Sequence, residues 1–93
     1  IQNVNLKEAM TMSEKATEIE PENPSFLDTK GWLLYRLNKY DEALGQILLA
    51  LEYGSENAII LDHLAAIYEA LGNEKLAEKA RARAIELEVN NDK

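Results

Sequence analysis

The sequence predicts an all-α fold in which five helices stack as antiparallel pairs, and three observations carry that prediction. Leu, Ala, Glu and Lys dominate the 93 residues while β-branched side chains are thin, which favours helix throughout. Pro21, Pro24, Gly54 and Gly72 cut the chain into stretches of similar length, joined by turns too short for anything but antiparallel neighbours. The chain also repeats itself with a period of 34 residues.

The elements follow in order. A first helix runs from Leu6 to about Ile19 and is stopped by Glu20-Pro21-Glu22-Asn23-Pro24. Asn23 is a suitable N-cap and Pro24 fits the first turn of a second helix, which ends near Leu37-Asn38. A third runs from about Tyr40 to Tyr53 and stops at Gly54, read as a left-handed C-terminal residue. Ser55 or Asn57 caps a fourth, ending at Leu71-Gly72-Asn73, and a fifth runs from Glu74 to about Glu88. Residues 1–4 and 90–93 are expected to fray.

The repeat is visible residue by residue. A shift of 34 superposes Ala9, Ala43 and Ala77, then Ala16, Ala50 and Ala84, then Glu18, Glu52 and Glu86, and finally Asn23, Asn57 and Asn91. The same shift lays Leu27 on Leu61, Asp28 on Asp62 and Leu37 on Leu71. Alanines seven apart lie two turns apart on one helix face, where a neighbouring helix can approach closely. Gly31 and Ala65 have the same role in the preceding helix of each pair, where a larger side chain would push the paired helices apart.

A helix–turn–helix unit of this length with these residues resembles the tetratricopeptide repeat. In the unit 24–57 the signature positions hold Leu27, Lys30-Gly31, Leu34, Ala43, Ile47, Ala50 and Ser55. In the unit 58–91 they hold Leu61, Leu64-Ala65, Tyr68, Ala77, Arg81, Ala84 and Val89. Residues 1–23, with Ala9, Ser13, Ala16 and Pro21, resemble the second helix of a truncated unit. The resemblance implies a right-handed superhelical array of about two and a half repeats forming one domain. The segment Phe26–Tyr35 is also similar to a variant common in bacterial repeat proteins. A start at Ile1 without methionine, and half a unit, mark the sequence as a piece of a longer array. The fifth helix, mainly Ala with charges between, reads as the array's C-terminal end, with Arg81 where an apolar residue would meet a following unit.

Nothing in the sequence carries catalysis, a cofactor or a metal. There is no cysteine, His63 is the single histidine, and no glycine-rich phosphate loop is present. Glu8, Glu14, Glu18, Glu20 and Glu22 read as solvated helix surface. The net charge is −7, with eight acids against five bases in residues 1–46 and nine against five in 47–93. An even acidic field argues against nucleic acid and anionic membrane as partners, and no apolar run is long enough to insert in a bilayer.

In the resembled family the first helix of each pair lines a concave groove that holds partner segments. By position, that groove takes Ser25, Asp28, Thr29, Trp32, Tyr35 and Arg36 from one unit. The next unit supplies Ile59, Asp62, His63, Ala66, Glu69 and Ala70. Asp28, Asp62 and Glu69 stand against Arg36 alone, so the expected partner is a basic protein or peptide segment steered by the acids and packed on Trp32 and Tyr35. The Lys and Asn set with which one branch of the family clamps a terminal carboxylate is missing at these positions. The competing reading of Trp32 and Tyr35 is core packing, and that of His63 a half-exposed surface residue. A second surface is expected at Leu48 and Leu49, whose positions usually face solvent in the resembled repeat. One alternative is a homodimer or structural element associating through that face; another, apart from it, is a regulatory arm of a larger protein.

Overall fold

The computed structural model describes residues 5–91, and its five helices are α1 (Leu6–Ile19), α2 (Pro24–Arg36), α3 (Tyr40–Tyr53), α4 (Ala58–Ala70) and α5 (Glu74–Asn91). No strand occurs among the described residues. The fifth helix is longer than the sequence suggests: residues 90 and 91 continue it, because nothing between Glu88 and Asn91 breaks a helix. The expectation that residues 1–4, 92 and 93 fray lies outside the described residues.

Period and caps coincide. The Asn23 side-chain oxygen accepts from the backbone N–H groups of Ser25 and Phe26 at 2.9 and 3.2 Å, and Asn57 accepts from Ile59 and Ile60 at 2.8 and 3.2 Å. Asn57, and not Ser55, therefore starts α4. The turns after α2 and α4 match as well. Lys39 N–H donates to the Leu34 carbonyl and Asn73 N–H to that of Tyr68, both at 2.9 Å. In each, the residue before the donor is left-handed: Asn38 with φ 65° and Gly72 with φ 84°. These are the six-to-one bonds of a Schellman close, which satisfy carbonyls that the helix end leaves open.

Gly54 corrects the sequence reading. Its φ of −112° and ψ of −165° are extended, not left-handed. The reason for a glycine is space: a Cβ there would lie 2.8 Å from Pro24 Cγ, so the end of α3 passes hard against the start of α2. Gly31 is small for the expected reason, since a Cβ would meet Ile47 Cδ1 and Cγ1 at 2.8 Å, and Ile47 is fully buried.

The core runs through the two helix pairs. Leu27, Leu34, Ala43, Ile47 and Ala50 fill α2–α3; Ile60, Leu61, Leu64, Ala65, Ile67, Ala77, Ala80 and Ala84 continue it into α4–α5. The repeated alanines of α3 and α5 are buried, whereas Ala9 and Ala16 on α1 are only half-buried. Packing is closest within the pairs α2–α3 and α4–α5, while α1 leans on α2 and α3 on α4. Across the pairs α2 meets α4, yet among the described residues the backbone of α3 stays more than 8 Å, Cα to Cα, from those of α1 and α5. Neighbouring pairs that touch along α2 and α4 but splay along α3 and α5 curve the layer, with α2 and α4 inside.

Candidate functional site

The inner face is built where α2 and α4 meet. The same capping asparagines start both helices, so Asp28 and Asp62, Trp32 and Ala66, Tyr35 and Glu69 occupy equivalent turns. What joins the two helices is a contact that sequence reasoning missed. His63 Nδ1 lies 2.9 Å from Asp28 Oδ1, with both side chains largely buried. A carboxylate only accepts, so Nδ1 carries the proton and donates it to Asp28.

His63 also stacks on Trp32, with ring centroids 4.0 Å apart and planes inclined by 20°. Trp32 in turn stacks on Tyr35 at 4.6 Å and 12°, and Tyr35 meets Tyr40 at 5.6 Å and a tilted 52°. Two rings this near the indole and nearly parallel to it would overlap if they shared one face. Tyr35 and His63 therefore sandwich Trp32, and the column Tyr35–Trp32–His63, held in line by Asp28, spans the α2–α4 junction. The indole is half-buried.

The remaining expected groove residues separate. Asp62 and Arg36 are exposed and make no ion pair among the described residues. Glu69 is bound to Arg81 of α5 at 3.0 Å, which is where the residue that departs from the repeat signature is used. Ala66 is half-buried, while Ser25, Ile59 and Ala70 are exposed. Thr29 lies away from the column, bordering an apolar recess with Ala9, Met12, Ser13, Phe26 and Leu33 at the α1–α2 junction. Leu48 and Leu49 diverge: Leu48 is 44% exposed, whereas Leu49 is half-buried against the core.

A second ion-pair set lies on α5, where Arg83 reaches Glu56 at 2.7 Å and Glu86 at 2.9 Å. Their side-chain hydrogen bonds, that to Glu56 foremost, raise the guanidinium pKa above its ordinary value. Among the described residues no three His, Asp or Glu side chains gather as a metal site, and no helix is long and apolar enough to cross a membrane.

The solved structure of MamA MSR-1 C2, a tetratricopeptide-containing protein, is similar to this chain with a TM-score of 0.83 over 92% of its length. The fold is of the tetratricopeptide type. The two sequences are 24% identical, and this chain spans 49% of the MamA chain. No protein-family profile and no curated protein sequence matches it. In this layer α2 and α4 are the first helices of their pairs, and the aromatic column bridges them.

Proposed function

We propose that this chain is a non-catalytic protein–protein interaction module that holds a partner segment along the α2–α4 face. The units 24–57 and 58–91, preceded by the second helix of a unit at 1–23, form its array. The observation that carries the reading is the Tyr35–Trp32–His63 column, a rigid aromatic ridge fixed across two helices before any partner arrives. A surface ordered in advance leaves most of the ordering entropy to the partner, which favours a flexible peptide gaining contact on a stiff scaffold. Asp28 and Glu69 are engaged within the chain, so Asp62 is the inner acid left to steer a basic segment.

Selection of peptides from a random displayed library tests the reading. Basic segments with an apolar anchor should be enriched, and Asp62→Lys should remove the basic preference while Tyr35→Ala weakens binding generally. Intrinsic fluorescence reports directly on the site, because Trp32 is the single tryptophan. Selection unchanged by both substitutions, in variants with native circular dichroism, would overturn it. Self-association through Leu48 and Leu49 is the alternative; Leu48 is 44% exposed, while Leu49 is half-buried against the core.

A further inference from the structure

His63 gives the inner face a charge that depends on pH. It is the single histidine of the chain, and histidine is the side chain whose ordinary charge change lies nearest neutrality. Its Nδ1 proton is committed to Asp28 at 2.9 Å, so the nitrogen that takes a further proton is Nε2. Nε2 has no hydrogen-bond partner among the described residues, and it is not closed off from solvent as the Ser13 hydroxyl is. The side chain is 20% exposed and stacked on Trp32 at 4.0 Å. A proton therefore reaches the imidazole without opening the Asp28 bond or the stack.

The charged groups around the ring are few. From α2 comes Asp28, with the Tyr35 phenol behind Trp32. Lys30 borders a separate recess with Glu14 and Glu42, and Arg36 stands eight residues past Asp28, about 12 Å along the helix. On α4 itself are Asp62, next to His63 in the chain and exposed, and Glu69, which is held by Arg81 of α5. The other charged side chains of α5, and Asp41, Glu42 and Glu52 of α3, make no ion pair with His63 among the described residues. With neutral imidazole, Asp28 and Asp62 leave this stretch of the face with two negative charges. With imidazolium, one is cancelled.

We propose that His63 makes the grip of the inner face on a basic segment proton-dependent. Neutral imidazole leaves Asp62 to hold a cation, and imidazolium repels that cation. The proposal rests on the inner-face reading above and adds its regulation. Neighbouring Cα atoms are about 3.8 Å apart, so a cation held by Asp62 lies within roughly the 8 Å over which charges act at physiological salt. At that distance, in surroundings between bulk water and protein surface, the repulsion weakens binding about two- to fivefold. The coupling is reciprocal, so a bound basic segment expels the proton. The segment is held near neutral pH and released as the imidazole charges.

Two measurements on the whole chain test this. The first needs no partner: quenching of Trp32 by iodide and by caesium, each relative to uncharged acrylamide, at about pH 7.5 and about pH 5.5. The ratio of iodide to caesium quenching should rise about twofold at the lower pH, as the charge beside the indole changes. His63→Gln, which keeps an amide donor for Asp28 and does not titrate, should hold the ratio constant while circular dichroism stays native. The second is the affinity, by fluorescence anisotropy, of a lysine-containing peptide recovered from the library selection, with its lysine-acetylated form as control. Affinity should fall about two- to fivefold between the two pH values in the wild type. The acetylated peptide, and the lysine peptide against His63→Gln, should show no such fall. A ratio or an affinity that ignores pH overturns the proposal, as does a response that His63→Gln retains. If the selection recovers no basic peptide while the ratio still moves, the inner-face reading is what has failed, and the proposal falls with it.

Discussion

Gly31→Ala and Gly45→Ala make the same chemical change on adjacent helices, and the structure predicts opposite outcomes. Each adds a methyl group and gains helix propensity worth about 0.5–1 kcal/mol. At Gly45 nothing lies within 4 Å of the new Cβ, so that gain stands alone. At Gly31 the Cβ arrives 2.8 Å from both Cδ1 and Cγ1 of Ile47 and 3.3 Å from the Ala43 carbonyl oxygen. Ile47 is fully buried and cannot swing into solvent, so α2 and α3 must separate or Ile47 must leave its rotamer. Overpacking of this kind costs about 1–3 kcal/mol, and that cost is the expected difference between the two variants. For a domain of this size each kcal/mol moves Tm by about 4–8 °C, so Gly45→Ala should melt above the wild type and Gly31→Ala well below Gly45→Ala. The control is Gly31→Ala with Ile47→Val, which removes Cδ1 and should lose less stability than the two single changes added together. Thermal unfolding followed by circular dichroism reads all four. If Gly31→Ala raises Tm as much as Gly45→Ala, close packing is not why residue 31 is glycine, and the reasoning is refuted.

Three further outcomes follow. His63→Ala uncovers one face of Trp32, so tryptophan emission should shift to the red and acrylamide quenching should rise, with about 1 kcal/mol of stability lost with the stack; unchanged emission would contradict the sandwich. Gly72→Ala should destabilise by about 1 kcal/mol, since φ is 84° there, while Asn38→Gly at φ 65° should be neutral or slightly stabilising in denaturant melts. Leu48→Glu should leave the molar mass by light scattering unaltered at every concentration; a dimer converted to monomer would restore the self-association reading.

The fold is legible in the sequence because its determinants are local and repeated. Asn23 and Asn57 announce helix starts from side-chain chemistry alone, and the alanines of α3 and α5 mark close contacts by spacing. The readings that changed depend on neighbours. Gly54 is glycine because Pro24, thirty residues away in sequence, lies against it, which a local reading of helix ends cannot register. The Asp28–His63 bond joins residues 35 apart, one more than the period, so the numbers to find it are present in the sequence. Seeing it requires knowing that α2 lies across the α3–α4 junction, which offsets contacts between adjacent units from equivalence by a residue. Trp32 falls on the inner helix as its place in the repeat indicates, but counting exposed aromatics could not reveal that Tyr35 and His63 cover both its faces.

This offset also explains why equivalent acids have unequal roles. Asp28 and Asp62 occupy the same turn of successive helices, and Asp28 spends its charge holding a histidine supplied by the following unit. Asp62 has no such donor among the described residues and stays exposed. One position of the repeat thus has two states, engaged at Asp28 and open at Asp62. A residue satisfied by its neighbour within the array has little left to offer outside it, which is why the proposed steering of a basic segment falls to Asp62 and not to Asp28.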